Sequence, residues 1–324
     1  MKLSVIVFLF LVIFRPAHSL ETDNYLVWDK ELKDSTEEIN QLFKQQIQSV
    51  LNSVNQNPFP VSCRAVTFQI ADRFKTYPPL KIFIEDWLIA NLSSEQIYPS
   101  NMNYIAESIY KNTYGVFFKK IPLSPNIQVN GIYFGTDKLS HFSSTSRSYL
   151  KKYLKQRDQG VGEEEAMKSA INLGILKETT ILGLKAIGVY SYGDLEANFQ
   201  GFLFYKNMCL NEEGTYLNQD STGKWVLVRA PNIRDYATPY WDETFNHSYR
   251  SEKNWMKTSR MIKKKYCHLA SSALVQERMS YYKRVLRPSF SVGYLEELMA
   301  IESRKTPRPQ SREILDPLCD SSVN

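Results

Sequence analysis

Apolar residues recur along this chain at helical and strand-like spacings, and those spacings divide it into elements. After the capping box Ser35-Thr-Glu-Glu38, the residues Ile39, Leu42, Phe43, Ile47, Val50, Leu51 and Val54 predict an amphipathic helix that ends at Asn57-Pro58. Shorter helices are expected over 62–74, over 80–90 (Leu80, Phe83, Ile84, Trp87 and Leu88 on one face) and over 104–110. Glu85 and Asp86 are adjacent on the third of these and point in different directions, so they read as a solvated surface rather than a carboxylate dyad. From 119 to 135 the helical period fails at Pro122, Pro125, Asn126, Asn130 and Gly131, which leaves a loop or a short strand at 127–129.

The period resumes over 137–157, with Thr136 as its expected N-cap, over 163–186, and again after Ser191, which is placed to cap a third helix. Residues 216–228, with Asp220-Ser-Thr-Gly223 at their centre, read as a small hairpin, and 233–249 as an aromatic-rich loop packed on the helices. Trp255, Ile262, Tyr266 and Leu269 start a last helical region that runs to about 304 with a break at Arg287-Pro288.

The pattern predicts a mainly α fold, a multi-helix bundle with a small β-hairpin insertion. Its expected organisation is a signal peptide at 1–19, an N-terminal helical region at 20–130, a central three-helix polar core at 131–210, and a hairpin and aromatic loop at 211–250. Basic C-terminal helices at 251–305 and a loose tail at 306–324 complete it, with 20–305 forming one compact domain.

Lys2, the apolar run from Val5 to Phe14 and the small-residue ending Ala17-His18-Ser19 have the layout of a cleavable export signal, and the run is about half the roughly 20 residues a bilayer span needs. Export predicts a periplasmic or secreted protein. Cleavage removes Lys2 and Arg15, lowering the formal charge from +6 to +4. In an oxidising compartment Cys63, Cys209, Cys267 and Cys319 are expected to form at least one disulfide, the pairing being open. Residues 250–287 hold eleven Lys or Arg against Glu252 and Glu277, a basic helical surface suited to an anionic envelope polymer or lipid headgroups rather than to nucleic acid.

Candidate chemistry concentrates between Gly135 and Gly201. Asp137, Lys138 and His141 come from the first central helix, Glu178 from the second, and Asp194 and Asn198 from the third, all in apolar settings where a polar group is costly unless paired. If these faces meet, His141, Glu178 and Asp194 can act as catalytic groups or hold a divalent metal such as zinc, manganese or iron, with Asp137, Lys138 and Asn198 as ligand-binding residues. A polar network that only pins helix register uses the same residues. His247 and His268 are isolated, Asp242-Glu243 could supply a carboxylate from a closing loop, and Ser143 to Ser146 lack a nucleophile-elbow context.

The order Asp137-Lys138-x-x-His141, then Glu178, then Asp194-x-x-x-Asn198-x-x-Gly201 resembles the pattern of the VanZ-like membrane proteins. GTDKLSHF with the later LKE is similar to the YfiM-like family of small envelope lipoproteins. The resemblance covers 135–205; Ile181 and Leu182 stand where the VanZ-like pattern carries a Gln, and its transmembrane helices are absent. VanZ-like proteins are linked to glycopeptide resistance, so the resemblance implies a bacterial envelope location. The expected function is an exported envelope-associated hydrolase acting on peptidoglycan or lipid-linked material, with Glu178 as acid or base and His141 and Asp194 as its partners or metal ligands. The competing expectation is a non-catalytic envelope binding or scaffold protein whose polar core is structural.

Overall fold

The computed structural model describes residues 21–75, 83–99, 107–111, 123–180, 183–211, 215–303 and Cys319. The signal peptide at 1–19 and the tail from 306, Cys319 apart, lie outside them, as do 80–82 and 104–106 of the expected third and fourth helices. The protein is mainly α. Its helices are α1 (Thr36–Val54), α2 (Cys63–Arg73), α3 (Phe83–Asn91), α4 (Thr136–Ser140), α5 (Ser146–Asp158), α6 (Glu163–Thr179), α7 (Leu184–Ile187), α8 (Tyr192–Lys206), α9 (Glu252–Lys265), α10 (Ala273–Val285) and α11 (Phe290–Ser303). The strands are short: β1 (Glu21–Thr22), β2 (Ile97–Tyr98), β3 (Leu123–Ser124), β4 (Asn126–Val129), β5 (Ile132–Gly135), β6 (Val189–Tyr190), β7 (Leu217–Gln219), β8 (Trp225–Leu227) and β9 (Tyr249–Arg250). Among the described residues no helix is long and apolar enough to cross a membrane.

α1 buries the seven apolar residues that its spacing nominated. Its cap differs from expectation: Ser35 makes no side-chain cap bond, and Asp34 Oδ1 accepts from the Thr36 N–H at 2.9 Å instead. Asn130 and Gly131, which break the helical period, both take positive φ and form the tight turn of an antiparallel β4–β5 hairpin. β2 pairs with β4 to make three strands, so the fold carries this sheet as well as the expected β7–β8 hairpin. β5 runs straight into α4, whose N-cap is Gly135 rather than Thr136: Gly135 keeps the extended backbone of the strand, and Thr136, its N–H bonded to the Pro125 carbonyl, is already the first helical residue.

α5, α6 and α8 pack together at the centre. The expected helix over 163–186 stops at Thr179. Thr179 and Thr180 turn their hydroxyls back on the Ile175 and Leu176 carbonyls, and Gly183 takes φ −120° and ψ −110°, outside the helical region. Phe43 of α1, Phe74, Phe142 and Phe204 of α8 meet with ring centroids 5.0–5.7 Å apart, clamping the segment that carries the site into the main core. Two disulfides close the chain: Cys63–Cys209 ties α2 to the residues after α8, and Cys267–Cys319 ties the C-terminal segment to the end of α9.

Three expectations about charge fail here. Glu85 is buried rather than solvated, accepting from Ser140 Oγ and Ser124 Oγ, and burial pushes its carboxyl up to about 8. Arg250 and Arg278 do not belong to the basic surface. Arg278 donates to the Val27 and Lys30 carbonyls and stacks 3.6 Å from the Tyr133 ring centre, while Arg250 is buried beside the central site. In each case a partner distant in sequence overrides the local pattern.

Candidate functional site

α4 and α5 form one continuous rod joined by a π-turn at His141–Thr145. A π-turn inserts an extra residue into the helical ladder and shifts the direction of the side chains around it, which is why such turns cluster at functional sites. Lys138 and His141, three residues apart on one helical face at the start of this turn, both address the neighbour α8. Ser143 and Ser146 bond the Leu139 and Phe142 carbonyls, so these hydroxyls serve the helix rather than a nucleophile.

On α8, Ser191 caps the helix as its sequence predicts, accepting from the Asp194 N–H at 3.1 Å. Asp194, Asn198 and Gly201 then run along the π-turn. Asp194 Oδ1 accepts from Lys138 Nζ at 2.6 Å, Asp194 Oδ2 lies 3.2 Å from His141 Nε2, and Asn198 Oδ1 lies 3.2 Å from His141 Nδ1. At Gly201 a Cβ would stand 1.8 Å from the Phe142 carbonyl oxygen, so only glycine lets the two backbones approach this closely. The spacing of the motif is thus a description of one helix–helix contact.

Lys138 is fully buried, and its ammonium donates to Asp137 Oδ2 (2.8 Å), Asp194 Oδ1 (2.6 Å) and Glu243 Oε1 (2.8 Å). Three acceptors match the three N–H bonds of an ammonium. Asp137 also accepts from Thr22 Oγ1, and Glu243 from Ser191 Oγ at 2.9 Å. Behind Glu243, Tyr110 joins Glu21 and Glu243 to Arg250, whose Nη2 donates to the Tyr110 hydroxyl at 2.8 Å.

Glu178 enters from the last turn of α6 and is held by the Ser191 backbone N–H. One ligand atom each from His141, Glu178 and Asp194 lies within 4.8 Å of the other two, and all three residues are buried. The site therefore brings together every residue nominated from the sequence: Asp137, Lys138, His141, Glu178, Asp194 and Asn198. The Asp242-Glu243 loop also closes over it, with Glu243 supplying the carboxylate and Asp242 turning away to Tyr282 and Thr244.

No protein-family model, curated protein or solved structure matches this chain.

Charge is unbalanced in the centre. Five carboxyl groups (Glu21, Asp137, Glu178, Asp194 and Glu243) interact with one another around Lys138, with Arg250 behind Glu243. Burial, reinforced by the Asp194 charge, holds Glu178 well above the usual carboxylate range, and burial with Glu243 does the same to Glu21. Asp194 moves the other way: burial opposes its charge, but His141 and Lys138 outweigh it and keep it ionised. Burial also works against the Lys138 ammonium, and Asp137, Asp194 and Glu243 overcome it. When His141 donates from Nδ1 to Asn198, its bare Nε2 faces carboxylate oxygen, and lone pairs so placed repel unless a cation or a proton sits between them.

Glu21, Thr22, Tyr110 and Arg250 join the site without any local signal in the sequence. Glu21 and Thr22 follow the expected cleavage point, where a short polar stretch reads as solvated, and Arg250 is one cation in a run of eleven. His247 is buried against Tyr25, and desolvation pushes its imidazole down to about 3, so it is a neutral core residue. His268 is exposed and outside the cluster.

Proposed function

We propose that this chain is an exported hydrolase of the bacterial cell envelope whose central site binds one divalent metal ion through His141, Glu178 and Asp194. The observation that carries the reading is the approach of three ligand atoms, from three separate helices, to within 4.8 Å in a centre where carboxyl groups outnumber cations. One imidazole and two carboxylates suit zinc, manganese or iron, and three protein ligands leave a position for water or substrate. A bound ion would supply Lewis acidity and a water of lowered pKa.

The chain's own residues would do the rest. Asn198 holds His141 Nδ1 and so directs Nε2 at the site; Lys138 holds Asp194 and Glu243 in place; Glu178, whose carboxyl is raised by burial and by the Asp194 charge, would release its proton as the ion binds. The envelope and its peptidoglycan or lipid-linked substrates come from the resemblance of the Asp137 to Gly201 pattern to VanZ-like proteins. Two disulfides support an oxidising compartment.

A second reading has its own observation. Lys138 is 0% exposed, Asp194 1% and Glu178 2%, a degree of closure that suits a polar network pinning three helices in a scaffold protein. Metal analysis of the purified protein, followed by assay of Glu178→Gln on peptidoglycan and lipid-linked precursors, separates the two. Stoichiometric metal with activity lost in the variant supports the hydrolase. Absence of metal, with activity unaltered and only the melting temperature changed, leaves the scaffold.

A further inference from the structure

α9 buries one face and leaves the opposite one uncovered. Asn254, Thr258 and Ile262 point into the protein. Lys253, Met256, Arg260, Lys263 and Lys264 are exposed, at intervals of three and four residues that place them on a single stripe about 16 Å long. Among the described residues no carboxylate lies within ion-pair distance of Lys253, Arg260, Lys263 or Lys264. The nearest acidic residue on α9 is Glu252, at its first position. Cations in the last turn, Lys263 to Lys265, complement the helix dipole, but Lys253 sits in the first turn where a cation is disfavoured, so the dipole does not explain the stripe.

In the middle of the cations Met256 is 49% exposed. A purely polyanionic polymer gives this side chain nothing to enter. A bilayer surface offers both an anionic headgroup layer and an apolar layer a few ångströms deeper, with lysine and arginine stems able to lie between them. The apolar side of α9 is already used by the protein core, so the helix does not bury itself in the membrane. It lies against it through charge with one apolar anchor.

We propose that the Lys253–Lys264 face of α9 docks the protein peripherally onto an anionic lipid bilayer. This surface is separate from the His141 centre, and the proposal holds whether or not that centre is catalytic. Docking would set the distance between the rest of the protein and lipid-linked material.

Co-sedimentation of the full chain with vesicles tests it. Binding is expected to mixed phosphatidylglycerol–phosphatidylcholine vesicles, to be absent with phosphatidylcholine alone, and to be released by about 0.5 M salt. Replacing Lys253, Arg260, Lys263 and Lys264 together by Gln should lower the partition coefficient by on the order of fivefold per charge removed, with only a small fall in the unfolding midpoint from the lost helix-dipole contacts of Lys263 and Lys264. Met256→Ser should lower it by a smaller factor and leave the salt dependence intact. The proposal is overturned if the fourfold variant binds anionic vesicles as the wild type does. It is equally overturned if the two lipid compositions bind alike, or if the wild type is captured by purified cell-wall polymer and ignores anionic vesicles.

Discussion

Glu178 and Glu196 are both buried glutamates on helices of the central bundle, and they behave as opposites. Glu196 is fully buried and accepts from Gln200 Nε2 at 2.8 Å, Ser289 Oγ at 2.7 Å and Ser291 Oγ. It fastens α8 to the start of α11. Glu178 has the Ser191 N–H and, facing it, the charge of Asp194. The lesson is that burial does not mark a site; a buried carboxylate satisfied by donors is a structural bond, whereas one set against another carboxylate requires a proton or a cation.

The largest test removes the charge that holds the acidic centre together. Lys138→Met leaves Asp137, Asp194 and Glu243 without their common cation, and urea unfolding at pH 7 should show a loss on the order of 3–5 kcal/mol. A loss below about 1 kcal/mol would mean that the centre is not charge-compensated, and the contrast with Glu196 would collapse.

Glu178→Gln comes next, and its effect depends on pH and metal. Because the folded protein raises this carboxyl above its ordinary 4.5, the folded state binds the proton more tightly than the unfolded state. Metal-free wild type therefore loses stability as pH rises above about 4.5, until the folded-state pKa is passed, whereas the glutamine variant, permanently neutral, escapes this loss. The two should melt alike at pH 4 and diverge in favour of the variant at pH 8. Saturating zinc should reverse the order, stabilising the wild type by about 2.7 kcal/mol at a hundredfold excess over Kd and the variant by much less.

Glu196→Ala should cost about 1–3 kcal/mol, the penalty for stranding buried donors, and zinc should not alter that cost. Asn198→Ala strands the buried His141 Nδ1, so its folding cost should be close to that of Glu196→Ala. It differs in that zinc affinity should fall by about 10–100-fold, measured by competition with a chelator. An equal fall in Glu196→Ala would dissolve the distinction between the two glutamates.

Much of this arrangement was legible in the chain. The helical spacing of α1, the Ser191 cap and the hairpin around Asp220 follow from interactions a few residues long, and local propensity is strong enough to be read without knowing the fold. Glu178 stood out because an isolated carboxylate among Ile175, Leu176 and Ile181 conflicts with its surroundings. Glu196 did not stand out, since it lies off the Asp194, Asn198 and Gly201 side of its helix and its partners Ser289 and Ser291 are more than ninety residues away. Glu85 misled for the same reason: its partners, Ser124 and Ser140, are about forty and fifty-five residues away.

The Asp137 to Gly201 pattern thus specified, from local chemistry, which helix faces carry polar groups and where α8 begins. It could not specify that His141 meets Asp194 and Asn198 across a π-turn, or that Glu21 and Glu243 complete the acidic centre, because Lys138 and Glu243 are separated by 105 residues and Thr22 and Asp137 by 115. A residue's propensity acts within a turn or two of the chain. Its electrostatic environment is the sum over whatever the folded chain brings within a few ångströms, and in this protein that sum raises Glu178 while it lowers Asp194 in the same site.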